Sequence, residues 1–318
     1  MKIDVIFTGG TIGSQVSDGW IAPGEEGPRL LLENYRKAHG DKVDFPEKAP
    51  YTCLSENVKA ENLNLLLSEV RKSLAEDADG IVVTHGTDTL QYTAAFLALA
   101  LGKPQKCVCI VSSNYPLDDG RANGNVNFEA AVDMIASGET GVFVPYRNGD
   151  GKVNIHLADR LLRHGEFTDD VESLGVPYAQ WKDGKVEKGN VSRGVSERFE
   201  NARLLDKSPV LTVVCRPCDS FNYSLDGISA VLMLPYHSGT LNTENEDFAR
   251  FCEKCKANNV PVYAVGIPRG TTYASSLLFE KLGIIPLYET PFASAYMNLW
   301  TAASCGVEIR EFMGRFCR

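Results

Sequence analysis

Residues 81–101 constrain the fold more than any other part of this sequence. They begin with an Ile-Val-Val run at 81–83, which is typical of a short buried parallel strand. The hexapeptide THGTDT follows at 84–89, and residues 90–101 are rich in Ala and Leu, which favour a helix. This order predicts a strand–turn–helix unit in an α/β sheet, where ligands bind at the carboxyl ends of the strands.

The hexapeptide supports two interpretations. Thr87 or Asp88 could cap the following helix, since hydroxyl and carboxylate oxygens accept hydrogen bonds from the first free N–H groups. The same free N–H groups favour an anion nearby, so the turn could also form part of a binding site. Taken alone, the motif does not decide between a simple helix cap and a functional turn.

A second turn of similar composition occurs near the start of the chain. Residues 2–7 read as a strand, and the sequence TGGTIG follows at 8–13. Gly9 and Gly10 allow a tight turn and a close approach to a ligand, which would leave the Thr11 hydroxyl at the mouth of the sheet. The turn is not a dinucleotide-binding fingerprint, and the sequence contains no Walker A loop.

Together these motifs resemble the two signatures of the bacterial-type L-asparaginase and glutaminase-asparaginase family, and the chain is most similar to the cytosolic type I branch. Residues 14–23 resemble the lid of that branch, and residues 54–58 resemble the loop that holds the substrate's α-amino and α-carboxylate groups. Residues 236–240 resemble the tip of the first strand in the C-terminal domain. The likeness covers nearly the whole chain.

The resemblance implies hydrolysis of a carboxamide, with L-asparagine converted to L-aspartate and ammonia. Thr11 would attack the side-chain amide carbon, while Thr87 and Asp88 would form a second hydroxyl–carboxylate pair, which a lysine completes in the family. The resemblance implies neither a metal nor an organic cofactor. Three further residues are implied to bind the substrate: Ser55, Glu56 and Gly86.

The sequence departs from the family pattern at three positions. Trp20 stands where the lid carries a tyrosine, and an indole N–H can only donate a hydrogen bond. Arg163 stands at the lysine position; it can pair with Asp88, but it keeps its charge and cannot carry a proton. Glu56 replaces a neutral residue and would favour an α-ammonium group. Trp20 could instead be an apolar anchor, Arg163 a surface charge and Glu56 a solvated turn residue.

Composition limits the class of protein. A chain of 318 residues is long enough for two domains. The net charge of −9 and the absence of a basic stripe argue against binding nucleic acid or an anionic membrane surface. No signal peptide or membrane span is recognisable, so we expect a cytoplasmic protein. The family resemblance adds a small-molecule partner, L-asparagine, and a homodimer or homotetramer.

Alternating strand and helix patterns predict an α/β fold with two domains, each a largely parallel sheet flanked by helices, the N-terminal one larger. We assign residues 1–184 to an N-terminal catalytic asparaginase domain and 208–318 to a C-terminal asparaginase domain. The charged stretch 185–207 is interpreted as a linker. Residues 51–54 are predicted to form the second strand, and the pattern in 141–181 is irregular.

Metal-binding patterns in the sequence are weak. Two C-x-x-C pairs begin at Cys215 and Cys252, but their separation exceeds the usual zinc-ribbon spacing, and the second pair lies in a predicted helix, 244–258. His85 and His237 lack metal or serine-protease spacing and are predicted to pack at strand ends.

Three functions remain open at this point. The leading one is an L-asparaginase-type amidohydrolase that uses a threonine nucleophile. A glutaminase or another small-amide hydrolase would use the same chemistry on a different substrate. A catalytically impaired amino-acid-binding protein on the same fold is the third, and Trp20 and Arg163 are the residues that keep it open.

Overall fold

The computed structural model describes residues 1–17, 20–23, 26–191, 199–270 and 273–315, with the side chains of 15–26 and 28 outside that description. The chain divides into two compact units, Met1–Asn201 and Ala202–Arg318. Within the described ranges, no helix has the length and apolar character needed to cross a membrane.

The first unit is built on a sheet of eight strands in the order β10-β9-β8-β7-β6-β5-β1-β4, with a separate antiparallel pair, β2 and β3. The strands are β1 (Ile3–Phe7), β2 (Ser14–Ser17), β3 (Trp20–Pro23), β4 (Glu47–Lys48), β5 (Gly80–Thr84), β6 (Cys107–Val111), β7 (Gly141–Arg147), β8 (Val153–Leu157), β9 (Ala179–Lys182) and β10 (Lys185–Lys188). The helices are α1 (Glu26–His39), α2 (Ala60–Ala75), α3 (Leu90–Leu101) and α4 (Gly124–Ala136). Strands β4, β1, β5, β6 and β7 run parallel, which confirms the predicted α/β class.

Burial explains why these segments take these forms. All five residues of β1, β5 and β6 are buried, as expected for central parallel strands covered on both faces. Helix α2 buries one face through residues such as Leu63, Leu66 and Val70, whereas α3 is buried almost all round. Asp4 is the one charged residue inside β1, and the Lys48 ammonium compensates it at 2.9 Å.

The prediction of a strand at residues 51–54 is wrong. The chain pairs with the edge of β1 earlier, through the two residues of β4. Cys53 contacts the turn beyond β1 instead: its N–H donates to the Thr8 carbonyl, and its carbonyl accepts from the Gly10 N–H. These two hydrogen bonds form a single isolated β-bridge between Gly9 and Cys53. No strand extends from it, because the backbone that follows β1 already turns at Gly9.

The assignment of 185–207 to a linker also needs correction. Lys185–Lys188 form β10, which pairs antiparallel with β9, and the first unit extends to Asn201. The region read as irregular contains β7, β8 and β9, which are joined by antiparallel pairing. The charges of β10 suit an exposed strand at the edge of a sheet, and in the sequence they looked like a linker.

The second unit contains one parallel sheet in the order β11-β12-β13-β14. Its strands are β11 (Val210–Val214), β12 (Ala230–Leu234), β13 (Val262–Ile267) and β14 (Ile284–Tyr288), and its helices are α5 (Glu246–Ala257), α6 (Phe279–Leu282), α7 (Phe292–Ser304) and α8 (Ile309–Met313). Three of the four cysteines of the C-x-x-C pairs serve packing: Cys215, Cys252 and Cys255 are buried in the apolar core of this unit, whereas Cys218 is exposed. Among the described residues, no group of three or more His, Cys, Asp or Glu side chains could hold a metal ion.

His156 in β8 makes stability depend on pH. Its side chain is fully buried, its Nδ1 is 2.6 Å from Ser173 Oγ, and burial lowers the pKa to about 4. The unfolded chain takes up this proton near pH 6.5, so stability falls as the pH drops from 6.5 towards 4. We expect this residue to lower the free energy of unfolding by about 2 kcal/mol between pH 7.5 and pH 5, measured by urea denaturation.

The control compares His156→Gln with a change at the exposed His237. His156→Gln should make the free energy of unfolding depend less steeply on pH, whatever the variant's stability at pH 7.5. His237→Gln should leave this pH dependence as in the wild type. Equal slopes in the wild type and His156→Gln would show that burial does not lower the pKa of His156, so that it takes up its proton alike in the folded and unfolded protein.

Candidate active site

The turns that follow β1 and β5 lie side by side. Phe7 pairs with Thr84 in the parallel register, so both strands end at the same level of the sheet. Gly10 has φ +77°, and a Cβ added to it would lie 2.3 Å from the Gly86 nitrogen. The two backbones are therefore in direct contact, and only glycine fits at position 10. Thr11 and Thr87, the residues that follow the contacting glycines, are both partly exposed on these adjacent turns.

The loop that begins at Ser55 is tied to the second turn. Ser55 Oγ donates to Asp88 Oδ2 at 3.0 Å, and Thr89 Oγ1 donates to the Ser55 carbonyl at 2.9 Å. A Cβ on Gly86 would lie 2.4 Å from Ser55 Oγ, so this glycine lets the loop approach the turn. Glu56, next to the buried Ser55, is exposed. The structure thus brings together Ser55, Gly86 and Asp88, which the sequence separates by about thirty residues.

A cleft of about 360 Å³ opens beside the second turn. Thr87, Asp88 and Arg163 all line it, so the arginine at the family's lysine position shares a cavity with the hydroxyl–carboxylate pair. Thr11, Ser55 and Glu56 are not among the described residues that line this cleft, and the side chain of Trp20 lies outside the description. The other lining residues are Gln91, Tyr92, Tyr146, His164, Thr168 and Asp169.

The buried side chain of His85 contacts both the backbone of the second turn and helix α3. Its Nδ1 lies 2.8 Å from the Gly86 carbonyl, and its Nε2 lies 2.9 Å from Thr93 Oγ1. These contacts assign the proton to Nδ1, which donates to the carbonyl, while Nε2 accepts from the threonine hydroxyl. Burial lowers the pKa of His85, so the ring is neutral and packs inside the fold. His237, by contrast, is exposed, and the prediction that it packs at a strand end is wrong.

The sequence reasoning did not identify two buried cleft residues, Gln91 and Tyr146. Both had a usable signal. Gln91 is the second residue of α3 and follows Asp88 by three positions, so it lies in the first turn of that helix, next to the turn that carries Asp88. Tyr146 is close to the carboxyl end of β7, a parallel neighbour of β6, and therefore at the sheet edge where β1 and β5 also end.

Two hydroxyl-bearing turns thus meet at the carboxyl edge of a parallel sheet, in an α/β chain of two compact units. Residues 2–163 match the family model described as Asparaginase, N-terminal. The chain belongs to the asparaginase family, which confirms the resemblance drawn from its motifs.

The curated proteins that are similar to this chain in sequence are named as amidotransferase subunits and not as asparaginases. The chain is 31% identical to a glutamyl-tRNA(Gln) amidotransferase subunit of Thermococcus kodakarensis over an alignment that covers 94% of this chain and 70% of that protein. The same amidotransferase subunit of Thermoplasma acidophilum is 29% identical over 64% of this chain and 50% of its own length. That of Saccharolobus islandicus is 33% identical over 49% of this chain and 33% of its own. The chain thus spans half or less of two of these relatives.

Solved structures of asparaginases share the fold. The thermostable L-asparaginase of Thermococcus kodakarensis superimposes with a TM-score of 0.80 at 20% identity, covering 100% of this chain and 97% of that one. The probable cytoplasmic L-asparaginase of Campylobacter jejuni gives 0.76 at 22% identity, covering 99% and 98%. L-asparaginase I of Vibrio cholerae gives 0.80 at 20% identity, covering 100% and 97%. At these identities the likeness establishes the fold alone.

Proposed function

We propose that this chain hydrolyses the side-chain amide of L-asparagine to L-aspartate and ammonia, with Thr11 as the nucleophile. The contact between Gly10 and Gly86 carries the proposal. It holds Thr11 beside the turn that bears Thr87 and Asp88. The reaction requires this arrangement, because it needs a nucleophile and a second polar group near one carbonyl.

The chemistry follows from the two threonines. Thr11 Oγ adds to the amide carbon and forms a tetrahedral oxyanion, and the C–N bond then breaks as the nitrogen takes up a proton and leaves as ammonia. Water hydrolyses the resulting ester, releases aspartate and restores the threonine. Arg163 stays charged and stabilises negative charge in the cleft, but it cannot accept the threonine proton. The proton has to pass to another acceptor, either a water molecule or a carboxylate of the cleft such as Asp88.

The amino-acid end of the substrate would bind on the other side of the second turn. Ser55 holds the Asp88 carboxylate at 3.0 Å, and Glu56 adds a second exposed carboxylate next to Ser55. Two acids at this place favour an α-ammonium group. These contacts support an amino-acid amide over an uncharged amide as the substrate.

A second candidate is the release of ammonia from glutamine for an amidotransferase. The observation in its favour is the name of the curated relatives, one of which is 31% identical over 94% of this chain. The net charge of −9 argues against tRNA binding by this chain itself, so a partner protein would have to supply that contact. Assembly into a homodimer or homotetramer and a cytoplasmic location stay predictions from the resemblance.

One experiment separates these functions from an impaired binding protein. Ammonia release from L-asparagine and from L-glutamine is measured with the purified chain, alongside calorimetric binding of L-aspartate. Release from asparagine at the higher kcat/KM supports the proposal, and release from glutamine at the higher value favours the amidotransferase role. Aspartate binding without release from either amide would contradict both enzymatic functions.

Arg163→Lys tests whether the arginine limits the reaction. A desolvated lysine can give up its proton, whereas arginine effectively never does, so the lysine variant should restore a proton carrier to the cleft. We expect kcat for asparagine to rise by about tenfold or more, since general acid–base catalysis typically contributes about 10²–10⁴-fold. Steady-state ammonia release measures the change.

Arg160→Lys is the matched control. Arg160 lies three residues earlier, and its Nε donates to the Leu174 carbonyl at 3.1 Å. The same substitution there should leave kcat unchanged. An unchanged or lower rate in Arg163→Lys, with the fold intact, would mean that Arg163 does not stand in for a catalytic lysine.

A further inference from the structure

Two buried hydroxyl groups hold the turn at residues 84–89, one from each neighbouring strand. Strands β1 and β6 flank β5 in the sheet, and each is followed directly by a residue with a hydroxyl group, Thr8 after β1 and Ser112 after β6. Thr8 is 3% exposed and Ser112 is 0% exposed. Neither is among the described residues that line the cleft, so an effect of either on the reaction has to pass through the turn.

Thr8 fixes the peptide group that joins Thr84 to His85. The Thr8 hydroxyl donates to the Thr84 carbonyl at 2.6 Å. At the other end of the same peptide group, the His85 N–H donates to the Val111 carbonyl at 2.8 Å. A trans peptide group is planar, with its C=O and N–H pointing in opposite directions, so these two bonds together fix its orientation. The first peptide group of the turn is therefore fastened to the ends of both neighbouring strands.

Ser112 fixes the next peptide group, which joins His85 to Gly86. The Ser112 hydroxyl donates to the His85 carbonyl at 2.7 Å. The nitrogen at the other end of this group, that of Gly86, is the atom that a Cβ on Gly10 would approach to 2.3 Å. Ser112 therefore orients the peptide group that lies against the first turn, and with it the residue that follows, Thr87.

We propose that Thr8 and Ser112 are positioning residues for the hydrolysis, which act through the turn without touching the substrate. The proposal rests on the proposed function for the reaction itself. By fixing two successive peptide groups, the hydroxyls hold Thr87 and Asp88 beside the first turn, and a misplacement of about 1 Å can cost about 10²-fold in rate. The hydrogen bond from Ser55 to Asp88 involves neither hydroxyl, so binding of the amino-acid end of the substrate should change little.

Ser112→Ala and Thr8→Val each remove one hydroxyl, and valine keeps the shape of threonine. We expect each variant to lower kcat for ammonia release from L-asparagine by about tenfold or more, while KM changes by less than about threefold. Thr8→Ser keeps the hydroxyl and loses only a methyl group, so it should retain most of the wild-type kcat. Hydrogen exchange of the backbone at residues 84–89, followed by mass spectrometry, should be faster in Ser112→Ala and Thr8→Val than in the wild type and Thr8→Ser.

Ser137→Ala is the control for loss of a hydroxyl that donates to a backbone carbonyl. The Ser137 hydroxyl donates to the Met134 carbonyl at 2.7 Å. This bond lies at the end of α4, just before β7 begins, and therefore at the opposite edge of the sheet from the two turns. In this variant kcat, KM and the exchange of residues 84–89 should all stay as in the wild type. The thermal midpoint is measured for every variant, so that the folded fraction in each assay is known.

An unchanged kcat in both Ser112→Ala and Thr8→Val would overturn the proposal. An equal loss in Thr8→Ser and Thr8→Val would also overturn it, because the hydroxyl would then not be the group that matters, and so would a loss of kcat that the unfolded fraction accounts for in full. Ammonia release by the wild type is measured first. If the wild type releases ammonia from neither asparagine nor glutamine, the hydrolase proposal fails separately. Faster exchange of residues 84–89 in the two variants would then still support positioning of the turn, and unchanged exchange would overturn it.

Discussion

Replacing Thr11 with alanine is expected to lower ammonia release from L-asparagine by at least about 10³-fold, because it removes the proposed nucleophile. Thr87→Val should cause a loss of similar size, since it removes the hydroxyl next to Asp88 in the cleft. Both side chains are partly exposed on turns, so the free energy of unfolding should change by no more than about 1 kcal/mol. Coupled assays of ammonia and urea denaturation measure the two effects.

Thr52→Ala provides the control for these two variants. Thr52 is exposed on the neighbouring chain segment and has no assigned role, so both activity and stability should be retained. If Thr11→Ala and Thr87→Val both failed to fold, the two threonines would be structural caps of their turns, and the catalytic assignment would be withdrawn.

The second large effect is expected from Gly10→Ala. A Cβ at this position would lie 2.3 Å from the Gly86 nitrogen and 2.4 Å from its Cα, and neither turn could keep its place. The backbone at φ +77° adds the cost of a left-handed conformation, about 1–2 kcal/mol for an alanine. We expect this variant to lose several kcal/mol of stability and all measurable activity. Urea denaturation measures the first effect, and an assay of ammonia release measures the second.

Gly40→Ala separates the two causes. Gly40 has the same φ of +77°, but nothing lies within 4 Å of a Cβ built there. This variant should lose only the stability that a left-handed backbone costs an alanine, and it should keep full activity. If the two alanine variants lost equal stability and Gly10→Ala stayed active, the contact between the turns would not organise the site.

Particular elements show how far sequence reasoning reached. The predicted bounds of α3 (Leu90–Leu101) agree with the structure, because continuous apolar composition leaves a buried element few alternatives. The strand predicted at 51–54 failed since its partner backbone is a turn, which composition does not reveal. Strand β10 was missed because charged residues suit a linker and an exposed edge strand equally well.

The site was predictable in part for similar reasons. Motif resemblance placed Arg163 in the cleft with Thr87 and Asp88, although about seventy-five residues separate them in the chain. The contact between Gly10 and Gly86 depends on the parallel register of β1 and β5, which no local pattern encodes. Gln91 and Tyr146 carry no motif, and only their positions at the start of α3 and near the carboxyl end of β7 indicate that they line the cleft.

The two outermost strands of the larger sheet have a consequence for behaviour at high concentration. Strand β4 has only two residues, and its Lys48 is engaged by Asp4, Glu69 and Glu76. Strand β10 exposes Lys185, Glu187 and Lys188. A short strand and a charged strand are poor templates for a second molecule, since added β-strands would have to desolvate those charges. Edge-to-edge aggregation of the folded protein is therefore disfavoured at both ends of this sheet.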